Sequence, residues 1–459
     1  MKEFDAIVIG AGQAGVPLAK KLANAGWKTV LIEKRLVGGT CINDGCTPTK
    51  AMVASARMAY LAGRTDLGIE VSSFKVNFKA VMARKSAIVA QFRNGSIKGI
   101  ENTKNLTLIY GEAKFLDDHT VSVNESEGDP VKYSAKHIFI NTGASPRIPE
   151  IEGIKEIKYL TSTSILELQE LPEHLLIVGG GYIGLEFGQL FKRLGAKVTI
   201  MEQSSRLMPK EDDDVCEVMS GIFKEDGIEV LTESKVLKFE TLANEKIKVT
   251  VDSKGEKHIH TCSHVLIASG RVPQTAALGL ENTAVECDVR GHIKVNEYLE
   301  TKVKHIYALG DVKGGPAFTH ISYNDYIVVT KNILEGLKMS TKDRMIPYCM
   351  FTDPQLGRIG ITEVEAKELG LDYLVAKIPM KNVARAIETA ETRGFMKAVV
   401  DPKTKQILGA AIIGEQGGEI MSVLQMAMMG KITYEEIRFA IFAHPLYAES
   451  LNNLFMSIV

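Results

Sequence analysis

Apolar positions open the chain in a short β-branched run, "FDAIVIG", followed by "AGQAGVPLAKKLANAG" and a second apolar run, "KTVLIE". Compact apolar runs bounded by glycine predict strands, so the order is strand, glycine turn, helix, strand. That order returns in "HLLIVGG" and "GYIGLEFGQLFKRLGAKVTIME". Between the copies, a helical stretch is expected after Pro48 and a polar strand region near residues 105–140. The Gly and Pro cluster of "FINTGASPRIPEIEG" then reads as a boundary. Further on, "VLIASGRVPQTAALGL" predicts a strand and a breaker-rich crossover, and "TKVKHIYALGD" a strand ending at Gly310-Asp311 before another helix. From about residue 346 the pattern changes to alternating segments such as "GFMKAVVD" and "ILGAAIIG", then the apolar helix "GGEIMSVLQMAMMG". This predicts a separate α+β domain whose apolar helix serves as core or subunit interface.

The two glycine turns carry candidate chemistry. Gly10, Gly12 and Gly15 have the G-x-G-x-x-G spacing, as do Gly179, Gly181 and Gly184. In that spacing the glycines allow a tight strand-to-helix turn, close approach to a pyrophosphate, and close helix packing. The amides at the helix start then face negative charge. Glu33 and Glu202 end the second strand of each copy, where an acid accepts both hydroxyls of an adenosine ribose. The repeated unit predicts an α/β chain with two Rossmann-like dinucleotide-binding domains.

Charge and length narrow the class. The 459 residues include 55 Lys plus Arg against 56 Asp plus Glu, so no overall field favours nucleic acid or an anionic membrane. No apolar run reaches the roughly eighteen residues that span a bilayer, and "MKEFDAIVIGAG" enters a strand pattern without a secretory signal. A cytoplasmic protein with neither nucleic-acid nor membrane partners is expected. Six cysteines in such a chain make no structural disulfide framework.

Two of them, Cys41 and Cys46, stand five apart in "GGTCINDGCTPTK". Structural zinc needs four ligands, and no second Cys or His cluster is evident nearby, so no resident metal is expected, although a transient two-thiolate site stays open. The irregular polar context also differs from that of inert core thiols. Five residues of straight helix would separate the Cα atoms by ~7.5 Å, beyond disulfide range, so Cys41 must leave the helical path. "NDG" supplies a turn, and Pro48 suits a first helical turn, which sets Cys46 at or beside a helix N-terminus. Orphan amides there favour a thiolate.

A redox disulfide needs an electron source. NAD(P)H delivers hydride, and a flavin is the natural relay to a thiol pair. FAD is therefore expected in the first fold and the nicotinamide nucleotide in the second. Asp311 is placed for a flavin sugar-chain hydroxyl, and Lys50, one helical turn beyond Cys46, for a partner such as Glu186. A plain surface lysine and capping acid would read the same way.

These residues together resemble the pyridine nucleotide-disulfide oxidoreductases, the flavoprotein group of glutathione reductase, dihydrolipoamide dehydrogenase and mercuric reductase. The likeness rests on "GGTCINDGCTPTK", "GGGYIGLEFG", "LGD" at 309–311 and "AHPLYAE" at 443–449, and covers essentially the whole chain. It implies a glutathione reductase-like fold: FAD-binding domain at 1–150 and 272–345, NAD(P)-binding domain at 151–271, and dimerisation domain at 346–459. It also implies that Cys41 is the interchange thiol, Cys46 the thiolate against FAD, Lys50 and Glu186 a flavin-side pair, and Tyr182 the shield of the nicotinamide pocket. Gly39, Thr40, Thr142 and Gly143 are implied cofactor contacts, as are Gly270, Arg271 and Gly310. His444 is implied as an acid/base oriented by Glu449, entering the neighbouring subunit of a homodimer. A thiol near its reference pKa of about 8.5 needs such a base at neutral pH.

The acceptor is less constrained. "AESLNNLFMSIV" lacks the cysteine pair of mercuric reductases, and Leu446 and Tyr447 stand where relatives usually have a Thr-containing segment. "GGPAFTHISYNDYIVV" looks closer to the mercuric-reductase-like branch, which includes enzymes active on reactive chlorine or hypothiocyanous acid species. A small oxidant or disulfide is the expected substrate, ahead of dihydrolipoamide, another low-molecular-weight disulfide, or a sensor role without turnover. Glu202 should repel a 2′-phosphate, which favours NADH, with Arg206 close by in sequence.

Overall fold

Strand Lys2–Ile9 shows why the first apolar run is continuous. Ala6 and Val8 enter one core cluster while Ile7 and Ile9 enter another, so both faces of the sheet are covered. The computed structural model describes residues 1–124 and 129–458. Residues 125–128 of the expected polar strand region, and Val459 at the end of the expected C-terminal domain, lie outside the described residues.

The chain divides into two units. The first comprises Met1–Ala51, Met82–Arg147 and Gly270–Arg344. Its sheet runs in the order Leu106–Tyr110, Thr29–Glu33, Lys2–Ile9, Val131–Ile140, Thr120–Asn124, Glu112–Phe115. The long strand Val131–Ile140 divides its outer edge. Thr120–Asn124 pairs antiparallel along its first part, and Ile306–Ala308 pairs parallel along Ile138–Ile140. That late parallel strand brings the segment at 310 to the same end of the sheet as the first glycine turn, where an open α/β sheet binds its ligand. The strand ends two residues before Gly310, and Gly310–Lys313 forms a 3₁₀ turn, because the Gly310 amide is diverted to a side chain.

The second unit comprises Met52–Val81, Ile148–Ser269 and Met345–Val459. A parallel four-stranded sheet runs Glu229–Leu231, Lys197–Met201, His174–Val178, His264–Ile267. A three-stranded antiparallel sheet covers residues 234–262. The C-terminal part is a five-stranded antiparallel sheet, Tyr348–Met350, Gln355–Gly360, Ile407–Gly414, Phe395–Val400, Leu374–Pro379. Its core joins Ile412, Leu424 and Leu451, and the apolar helix Gly417–Met429 packs there through Ile420, Met421 and Leu424 while Met426 and Met429 stay exposed. Among the described residues no helix is long and apolar enough to cross a membrane.

Candidate active site

The first glycine turn is shaped by contacts that exclude a side chain. At Gly10 (φ +103°) a Cβ would stand 2.3 Å from the Asn141 carbonyl, and at Gly15 it would stand 2.0 Å from the Gly10 carbonyl. Gly12 differs, since the nearest atom to a Cβ there is the Asn141 amide nitrogen at 3.1 Å. In the second turn, Gly179 and Gly184 are equally crowded, whereas nothing lies within 4 Å of a Cβ at Gly181. Gly181 thus keeps space that the protein does not itself need, as a dinucleotide cradle should, whereas Gly12 is closed on one side by Asn141.

The two acids repeat one geometry. Glu33 accepts the Ala11 amide on Oε2 and the Arg35 amide on Oε1, both at 2.8 Å. Glu202 accepts the Gly180 and Ser204 amides in the same way, both at 2.7 Å. Each carboxylate braces its glycine turn and retains lone pairs for a ribose.

The redox segment follows Glu33. At Gly39 (φ +60°) a Cβ would stand 2.8 Å from the Gly12 Cα, so only glycine lets this segment lie against the turn. Thr40 and Cys41 lie on the short helix Gly39–Asn43; Asp44 caps it, and a new helix, Cys46–Ala62, begins at Cys46 itself. Cys41 therefore leaves the path of the long helix by occupying another one. Arg35 grips the Asp44 carboxylate, and the Asn43 amide donates to the Val37 and Gly39 carbonyls at 3.0 and 2.9 Å.

Neither cysteine is in a disulfide; Cys41 is half-buried and Cys46 exposed. Their sulfurs are hydrogen-bond partners, and the Cys46 Sγ also meets the Thr319 hydroxyl at 3.3 Å. The Cys46 sulfur and then burial push the Cys41 thiol well up, with Thr319 and Lys50 pulling the other way. Lys50 sits one turn beyond Cys46 on the same helix. Only one sulfur of such a pair ionises readily, and the second needs a base.

On the far side of the cradle, the Gly310 amide donates to the Asp325 carboxylate at 2.8 Å. Asp325 is fully buried and neutralised by Arg344 at 2.7 Å and Lys313 at 3.3 Å. The Asp311 carboxylate, on the turn so fixed, accepts no hydrogen bond among the described residues, and its nearest cation is Arg271 at 4.0 Å. Burial raises its carboxyl, with Arg271 and Lys313 opposing. A half-buried carboxyl without a donor fits the hydroxyl of a bound sugar chain. Thr142 donates to the Gln274 carbonyl at 2.8 Å, the Gln274 amide donates to Gly143, and Arg271 donates to Ala144, which ties 142–144 to the segment beyond Gly270.

In the second unit, Tyr182 opens the helix Tyr182–Leu194 and donates to Glu211 at 2.6 Å, with the Tyr348 hydroxyl 3.0 Å away. Glu211 is buried and paired with Arg358 at 2.9 Å. Burial and the facing groups push both phenols up, so both stay protonated. Glu186, one turn on, accepts the Phe351 amide at 2.8 Å. His444 Nδ1 stands 3.0 Å from Glu449 Oε2, while 69 % of the histidine side chain is exposed. The acid holds Nδ1 and leaves most of the ring exposed.

Several of these groups escape a reading by motif. Thr319, Asn141 and Asp325 reach the site from segments with no recognisable spacing to it. Asn141 had a faint signal, standing immediately before Thr142 in "NTG". Its side-chain amide donates to the Gly10 carbonyl at 3.1 Å and closes on Gly12 and Gly15 as well.

Two dinucleotide cradles and one sulfur couple are what an electron path from a nicotinamide to a disulfide requires, and this chain belongs to the pyridine nucleotide-disulphide oxidoreductases. The family model of that description matches residues 4–325, and the model of the family's dimerisation domain matches residues 346–455. The chain is accordingly an FAD- and pyridine-nucleotide-dependent disulfide oxidoreductase of glutathione reductase-family fold, and its dimerisation domain supports a homodimer.

Among its relatives is the "Probable pyridine nucleotide-disulfide oxidoreductase RclA" of Escherichia coli (strain K12), 39 % identical over 459 residues and 99 % of each chain. The mercuric reductase of Lysinibacillus sphaericus is 34 % identical over 449 residues, 98 % of this chain and 81 % of that protein. A solved structure, the Cu(II) complex of the HOCl-induced flavoprotein disulfide reductase RclA from Escherichia coli, superposes with a TM-score of 0.91 at 38 % identity, covering 99 % of each chain.

Proposed function

We propose that this enzyme reduces a small electrophilic oxidant, hypothiocyanous acid or a reactive chlorine species, with Cys41 and Cys46 as the working couple and NADH as the favoured donor. The observation that carries the reading is the asymmetry of the two sulfurs: Cys46 at a helix start beside Thr319, and Cys41 pushed up and in need of a base. A relative described as HOCl-induced supports the acceptor class. Residues 1–150 and 272–345 would form the FAD domain, 151–271 the nicotinamide domain and 346–459 the dimer-forming domain, in a cytoplasmic protein.

FAD would fit the first cradle, where the amides around Gly10, Gly12 and Gly15, with Glu33 and Asp311, would hold it. When bound it supplies passage of an electron pair from the nicotinamide to the disulfide. The chain's own residues do the rest. Glu202 reads the ribose of NADH, and Arg206, which could otherwise welcome a 2′-phosphate, is engaged by Asp213 and by the Pro209 carbonyl. His444, steadied by Glu449 and reaching the neighbouring subunit, takes the proton from Cys41. The Cys41 thiolate attacks the electrophilic sulfur of hypothiocyanous acid, forming a sulfenyl thiocyanate and releasing hydroxide, which the imidazolium protonates to water. The Cys46 sulfur then attacks the Cys41 sulfur, closing the disulfide and expelling thiocyanate. The oxidant gains two electrons and the dithiol loses two, which NADH restores.

A steady-state panel of hypothiocyanous acid, lipoamide, glutathione disulfide and mercuric ion, each with NADH and NADPH, tests the proposal. The highest specificity constant is expected for hypothiocyanous acid with NADH. A clear lead for lipoamide would replace this acceptor class with dihydrolipoamide dehydrogenase activity.

A further inference from the structure

The turn between His444 and Glu449 is not held by those two residues. Tyr447, midway along it, is buried, and its hydroxyl donates to Glu415 Oε2 at 2.5 Å and meets the Thr389 hydroxyl at 2.7 Å. Glu415 follows directly on the strand Ile407–Gly414, and its other oxygen accepts from Arg57 at 2.8 Å. Arg57 belongs to the helix Cys46–Ala62 and is fixed a second time by Asp353 at 2.5 Å. Eleven residues separate Arg57 from Cys46, three turns of helix at about 3.6 residues each, so both project from one side of it. A buried phenol between a carboxylate and a hydroxyl, with a guanidinium behind, is an expensive arrangement to keep unless orientation matters.

We propose that Tyr447 is the positioning residue of the His444–Glu449 pair, its hydroxyl anchoring the intervening turn through Glu415 to Arg57 on the chain's own redox helix. The inference rests on the reading of His444 as the base for Cys41. Without the hydroxyl the turn still packs through its ring but loses its fixed direction, and the histidine spends less time aligned with the sulfur it serves. Binding of NADH and its oxidation do not involve this turn.

The test uses flavin-loaded Tyr447→Phe, Glu415→Gln, the double variant and His444→Gln. Four quantities are read: kcat with hypothiocyanous acid, the anaerobic rate of flavin reduction by NADH, the iodoacetamide alkylation rate of Cys41 in NADH-reduced enzyme, and the thermal midpoint. Alkylation reports the base directly and is independent of the physiological acceptor. Tyr447→Phe is expected to lower kcat and Cys41 alkylation in parallel by about fivefold, the worth of one hydrogen bond, with flavin reduction unchanged. The double variant should be no slower than the slower single, because both changes cut one tether. If His444→Gln slows alkylation while Tyr447→Phe and Glu415→Gln do not, the anchor is refuted and the base stands. If His444→Gln itself leaves alkylation untouched, the underlying reading falls and the anchor with it. Equal loss in flavin reduction and acceptor turnover, with a lowered midpoint in both single variants, would make Tyr447 a packing residue only and overturn the inference. Should Tyr447→Phe fail to retain flavin, Glu415→Gln decides, since it leaves the phenol in place.

Discussion

The Cys46 sulfur lies 3.3 Å from the hydroxyl of Thr319, a residue 273 positions later that opens the helix Thr319–Glu335. Two helix starts therefore converge on one sulfur, and both present amides that favour negative charge. In NADH-reduced holoenzyme the thiolate should give long-wavelength absorbance beside the flavin. Thr319→Val is expected to weaken that absorbance at pH 7 by a factor of about three, the effect of one lost hydrogen bond, and Cys46→Ser to abolish it. Full absorbance in Cys46→Ser would remove Cys46 from its assigned role.

The open space at Gly181 predicts a separation of stability from binding. Gly181→Ala places its methyl where no protein atom lies within 4 Å, so the thermal midpoint should hold while KM for the nicotinamide nucleotide rises about tenfold. Gly184→Ala is the contrast: its Cβ would stand 2.2 Å from the Gly179 carbonyl, and the second unit should lose stability whether or not nucleotide is present. Unchanged KM in Gly181→Ala would place the nucleotide elsewhere.

Glu202 is expected to set coenzyme choice. Its two oxygens brace Gly180 and Ser204, so Glu202→Gln leaves a carbonyl and an amide where two acceptors stood. KM for NADH should rise about tenfold and the preference over NADPH should shrink. Initial-rate measurements with both coenzymes check this.

Asp353 carries a prediction about pH. Burial alone would raise its carboxyl, but Arg193 and then Arg57 outweigh burial and hold it below the usual carboxylate range. A depressed folded value means that its stabilisation is fully present above the ordinary pKa near 3.8 and disappears as pH falls through the lower, folded value. Asp353→Asn, which leaves the buried Arg193 with Asp226 at 3.5 Å as its remaining carboxylate, should cost about 2 kcal/mol at pH 7. In urea melts the gap between variant and parent should hold at neutral pH and narrow as the pH falls below about 3.8.

Local geometry was legible in the sequence wherever it depends on neighbours along the chain. The glycine turns, the acids Glu33 and Glu202, and the place of Cys46 at a helix start are all set by spacings of a few residues. What spacing does not carry is the contact between distant segments. Asp311 reads as a cofactor ligand from its strand, but its turn is aimed by Asp325, whose charge is balanced by Arg344 and Lys313. The same holds for Glu211, which unites Tyr182, Tyr348 and Arg358 from three segments of the second unit. Nothing in "RLMPKEDDD" distinguishes that glutamate from the acids beside it.

Asn141 stands where Gly10, Gly12, Gly15 and Gly310 come together, and Asp325 secures the last of these. Because a nascent chain leaves the ribosome amino end first, the cradle lacks a wall until residues beyond 325 have emerged. The contacts that fix this turn are thus completed only after most of the polypeptide has been made.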